Sequence, residues 1–109
     1  MIFSSLSIFD NDKKQISSSL ELVSYNEVQN IIKYRCGVCH SNKPTFEGFE
    51  NPPLGIVFDT SKDVLINIRK IKAQTIDSDI MPPGNLTGIT NNEREKLRIW
   101  IEQGANINN

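Results

Sequence analysis

Apolar residues in the chain recur at spacings of three and four in three separate runs, each preceded by the same local device. Ser24 with Glu27, Thr60 with Asp63 and Thr90 with Glu93 each place a hydroxyl residue three positions before an acidic one. Such a pair caps a helix start, because each side chain satisfies a backbone donor beside the other. The aspartate version reaches back less easily than the two glutamates. Behind the first cap, Tyr25, Val28, Ile31, Ile32 and Arg35 form one stripe; behind the second stand Val64, Leu65, Ile68, Ile71 and Lys72. The third run, from Asn91 to Gln103, puts Leu97, Trp100 and Ile101 on one side, and Gly104 stands where a helix would end. No run alternates with a period of two, so the pattern predicts an all-α fold with three main helices.

Between the helices lie two stretches rich in chain breakers. Residues 41–59 contain Pro44, Gly48, Pro52, Pro53 and Gly55, and residues 77–88 contain Pro82, Pro83, Gly84 and Gly88. Loops of that length in a small domain usually wrap something. Ahead of the first helix, Met1 to Phe9 is apolar, but it is too short for a span of about 20 residues and has no basic flank. Polar residues then dominate up to position 23. The expected organisation is an N-terminal arm or linker remnant over 1–23 and one domain over 24–109.

Composition narrows the classes further. The 109 residues include 12 basic and 13 acidic side chains, a formal charge of -1, which lacks the basic excess of a nucleic-acid binder. Only two cysteines and one histidine occur, and they are adjacent: Cys36-Gly37-Val38-Cys39-His40. Two thiols at this spacing, followed at once by an imidazole, form the c-type haem attachment pattern. The thiols add to the two vinyl groups, and the histidine is aimed at the iron from the same side. The same CxxC can instead be a disulfide, a redox pair or half a zinc site. Zinc would need a carboxylate as its fourth ligand, and a thioredoxin-like pair belongs beside a βαβ pattern that is missing here.

With haem c as cofactor, the sixth ligand follows by elimination. There is no second histidine, and Met81 is the only methionine apart from Met1. It lies in Ile80-Met81-Pro82-Pro83-Gly84-Asn85, a stiffened loop rather than an apolar helix stripe. Methionine opposite histidine favours ferrous iron and occupies the position where oxygen or peroxide would bind, as suits electron transfer. The cofactor-binding set is therefore Cys36, Cys39, His40 and Met81, with His40 and Met81 on the metal. Supporting candidates are a Pro52 or Pro53 carbonyl for His40 Nδ1, Asn85 near Met81 or a propionate, and Arg69, Arg94 or Arg98 as propionate partners. Solvated helix faces are the plainer reading of those arginines. Trp100 is expected to pack in the core with Val28 and Ile32, and Lys33, Arg35 and Lys43 to steer a redox partner.

Taken together, these features resemble a class I cytochrome c over residues 24–108: an attachment motif ending the first helix, a methionine loop before the last, and that helix pair packed across the haem. Five segments are similar to the cytochrome c domain at the C-terminus of membrane-bound urate oxidases. They are Arg35-Cys36-Gly37-Val38-Cys39-His40-Ser41, Lys43-Pro44-Thr45, Gly55-Ile56-Val57-Phe58-Asp59, Met81-Pro82-Pro83-Gly84-Asn85-Leu86-Thr87-Gly88 and Trp100-Ile101-Glu102-Gln103-Gly104-Ala105. The resemblance implies a domain that passes electrons from urate oxidation toward the respiratory chain, on the periplasmic side of the bacterial inner membrane. The family's membrane portion has no counterpart here, so the expectation is an excised domain or a free-standing relative. Nothing in the chain suggests that it oxidises urate by itself. A free periplasmic electron shuttle, a haem sensor or peroxidase with an open sixth position, and a docking module are the competing expectations.

Overall fold

The computed structural model describes residues 22–108, and the N-terminal apolar segment lies outside them. The described residues are helical and contain no strand. The helices are α1 (Tyr25–Arg35), α2 (Ser61–Ile66), α3 (Ile68–Ile71) and α4 (Asn91–Glu102), with a π turn at Lys72–Ile76 and tight turns at Pro53–Gly55 and Pro83–Asn85. No helix among the described residues is long and apolar enough to cross a membrane.

All three anticipated caps are formed with both of their hydrogen bonds, at Ser24, Thr60 and Thr90. The central helix departs from the expected single element. It breaks at Asn67, whose Nδ2 donates to the Asp63 carbonyl at 2.9 Å, so that a side chain competes with the helical ladder. After α3 the chain widens into the π turn, closed by Asp77 N–H on the Lys72 carbonyl at 2.8 Å. Ile66 is consequently exposed and Leu65 is left 37% exposed, although the spacing put Leu65 on the inward stripe.

α1 crosses α4, and both line the core. Val28, Ile31 and Ile32 meet Leu97, Ile99 and Trp100, joined by Val64 and Ile71 from the central segment and by Ile89. Trp100, Ile32, Leu97, Val28 and Val64 are all but fully buried, each stabilising the fold by about 1.5–3 kcal/mol of apolar transfer. Ile99 is buried, while Ile101, expected inside, is half-buried. Trp100 shares the core with Val28 and Ile32, stacks obliquely on Tyr25 at 5.7 Å, and donates its indole N–H to the Asn106 carbonyl at 3.0 Å. At the outer edge Lys96 pairs with Glu27 across the two helices at 2.7 Å. Val23, just before the first cap, is already buried and donates its N–H to the Gln103 side chain.

Candidate functional site

α1 ends where the cysteine motif begins. Cys36 N–H still donates to the Ile32 carbonyl, and Gly37 N–H donates to the same oxygen. Gly37 fits so closely that a Cβ there would stand 3.0 Å from the Lys33 carbonyl oxygen, a distance at which backbone would have to move. The motif then closes into a turn, with Cys39 and His40 both donating to the Cys36 carbonyl at 3.1 and 2.8 Å. The following loop is cinched onto it by Thr45 and Phe46 N–H groups on the Val38 carbonyl. Cys36, Cys39 and His40 are thus held on one rigid helix terminus.

The imidazole is oriented from behind. His40 Nδ1 lies 2.9 Å from the Ile56 carbonyl oxygen. A carbonyl can only accept, so Nδ1 donates this bond, and Nε2 is the ring nitrogen left to face a metal. The acceptor is Ile56, not Pro52 or Pro53 as the sequence suggested. The turn at Pro53–Gly55 carries the chain past both prolines, and Phe58 N–H on the His40 carbonyl at 2.8 Å sets the register. The Phe58 ring meets the imidazole edge-on at 5.2 Å.

The thiols are unbonded and half-buried. Burial, reinforced by Cys39, pushes the Cys36 thiol up to about 12, with Arg94 opposing the rise. Burial also raises Cys39. Both shifts are opposite to the lowered values that activate a redox CxxC pair. Among the described residues no three His, Cys, Asp or Glu side chains converge as metal ligands.

Met81, the other candidate ligand, stands on the second of the two loops. It is half-buried and is not one of the side chains packed against the core. Its N–H donates to the Gln74 carbonyl at 2.8 Å, and its carbonyl accepts from Arg94 Nη1 at 3.1 Å. The same Nη1 reaches the Thr75 carbonyl at 2.6 Å. Gln74 and Thr75 belong to the π turn, a feature that no spacing in the sequence announces. The Met81-Pro82 peptide is cis.

The end of α1 and the second loop meet at the start of α4. Arg35, next to Cys36, donates through Nε to Glu93 at 3.0 Å and through Nη1 to the Thr87 carbonyl at 2.5 Å, while Thr87 Oγ1 donates to the Arg35 carbonyl at 2.7 Å. Arg35 is therefore engaged within the fold rather than available to steer a partner. Of the arginines anticipated at propionates, Arg94 is held by carbonyls, Arg98 pairs with Glu95 and Glu102 on the solvent side, and Arg69 is exposed on α3. Asn85 points its Nδ2 at the Ile89 carbonyl, 3.1 Å away. Comparison with protein-family models, with curated proteins and with solved structures finds no significant match to this chain.

Proposed function

We propose that the domain carries one covalently attached haem c and transfers single electrons, with Cys36 and Cys39 as tethers and His40 and Met81 as axial ligands. The observation that carries this reading is the 2.9 Å contact between His40 Nδ1 and the Ile56 carbonyl. Nδ1 is committed to that carbonyl, so Nε2 is the ring nitrogen left to face a metal, on the same turn as two thiols. Met81 supports it, because its thioether is half-buried in a loop and does not belong to the packed core. Leu54, Ile80 and Leu86 are exposed apolar side chains on the same two loops and suit contact with a large apolar ring.

When bound, the haem supplies a ferric–ferrous couple whose potential a thioether ligand raises. The chain's own work is to keep both ligands from moving as the charge changes. On the His40 side this falls to the helix end and the Ile56 carbonyl, and on the Met81 side to Gln74 and Arg94. The donor we propose is the membrane portion of a urate oxidase and the acceptor a respiratory-chain protein, at the periplasmic face of the inner membrane. That finer assignment is supported by the five sequence segments alone.

The test is the absorption spectrum of protein matured with haem-attachment machinery, together with a pyridine haemochrome. One covalent haem per chain and the weak far-red ferric band of thioether ligation are expected. Haem-free protein from the same preparation overturns the reading. Rapid, tight carbon monoxide binding by the ferrous protein overturns Met81 ligation and favours a sensor or peroxidase.

A further inference from the structure

We propose that Arg94 is the positioning residue that holds Met81 in place as an axial ligand, by clamping the Met81 loop onto the π turn; this rests on the haem reading above. Met81 is gripped on both sides of its Cα, through N–H to Gln74 and through its carbonyl to Arg94. The two residues after it are prolines, which have no N–H with which to anchor the loop. Arg94 Nη1 bridges the Met81 and Thr75 carbonyls, so one cation joins the ligand loop, the π turn and α4.

Its place on α4 supports the assignment. Arg94 is the fourth residue of the helix, close to the positive end of the helix dipole, where a cation is disfavoured. Helix preference therefore does not account for an arginine here, whereas two carbonyl acceptors do. A hydrogen bond from a charged donor is among the stronger ones, and a planar guanidinium reaches two acceptors at once. Immediately before it, Glu93 holds Arg35 beside Cys36. Consecutive residues of one helix turn thus fasten the attachment side and the methionine side, and the distance between the two ligand-bearing segments is set by α4.

The experiment compares matured holoprotein of Arg94→Gln, Arg94→Lys and a surface control, Arg98→Gln, with the parent. Covalent haem is read by pyridine haemochrome, Met81 ligation by the far-red ferric band and by carbon monoxide association, and global folding by circular dichroism. Arg94→Gln is expected to keep its haem, lose most of the band and bind carbon monoxide at least about tenfold faster, as expected for losing a charge-assisted hydrogen bond. In Arg94→Lys the band is expected to disappear at a lower urea concentration than the helical signal. Arg98→Gln should match the parent in all three. If Arg94→Gln fails to fold, the Lys variant decides. Band and helix signals that vanish together in Arg94→Lys, or an unchanged band and carbon monoxide rate in Arg94→Gln, overturn the positioning role. A parent protein without covalent haem overturns the haem reading itself, and a band that persists in Met81→Ala overturns the ligation by Met81 on which the positioning role rests.

Discussion

The two loops that follow or carry the candidate ligands contain nearly the same turn, built from different residues. At Pro52-Pro53-Leu54-Gly55, Gly55 and Ile56 N–H groups donate to the Pro52 and Pro53 carbonyls at 3.0 and 3.1 Å. At Pro82-Pro83-Gly84-Asn85 the equivalent bonds, from Asn85 and Leu86, are 2.9 and 3.1 Å. The two residues after each Pro-Pro pair adopt positive φ, with Leu54 at 56° and Gly84 at 58°, and ψ is 17° in both. Glycine takes that conformation freely and asparagine tolerates it, but leucine does so at a cost of about 1–2 kcal/mol. Leu54 is also 93% exposed, so packing within the described fold does not compensate. The first turn works from behind, delivering the Ile56 carbonyl to His40. The second follows directly on Met81 and fixes its loop. Similar geometry at two positions therefore serves two purposes, and only the His40 side carries conformational strain.

The contrast can be broken most forcefully at the candidate ligands. Met81→Ala is expected to retain covalent haem while its midpoint potential falls by on the order of 0.1 V and carbon monoxide gains access. Redox titration checks this, and a potential equal to the parent's would exclude methionine ligation. Next in size is the turn chemistry. Gly84→Leu gives the second turn the residue that the first one carries; strain of about 1–2 kcal/mol, partly offset by a stiffer unfolded chain, should leave a net loss of about 0.5–1 kcal/mol. A Cβ at Gly84 meets nothing within 4 Å, so the loss would be conformational and not steric. Urea unfolding measures it.

A smaller effect concerns the tie between the two sides. Burial raises the Glu93 carboxyl, but hydrogen bonds from Thr90 N–H and Arg35, with the Arg35 charge, outweigh it and hold the group below the usual carboxylate range. Because its folded value is depressed, its contribution is complete above the unfolded value and disappears as pH falls through the folded one. Glu93→Gln should therefore flatten the acid limb of the stability profile and leave the alkaline limb unchanged. The reverse exchange is expected at Leu54. Leu54→Gly relieves strain but frees the unfolded chain, leaving a net gain of about 0.5–1 kcal/mol. A loss instead would show that the Leu54 side chain packs against the bound group.

The caps at Ser24, Thr60 and Thr90 were legible because each involves partners three residues apart, and the stripes on α1 and α4 were legible because helix period alone determines them. The candidate ligands were legible for a different reason: with two cysteines, one histidine and one internal methionine, residue type nearly exhausts the possibilities. The break at Asn67 and the π turn could not be read, since hydrophobic spacing continues across both. Nor could the supports of the site, because Ile56, Gln74 and Thr75 act through backbone carbonyls that every residue possesses. Local chemistry thus determined from sequence alone where helices begin and which side chains are candidate ligands. Only the tertiary structure decided what holds those ligands, because the choice among identical carbonyls depends on which segments the packed core brings within hydrogen-bond reach.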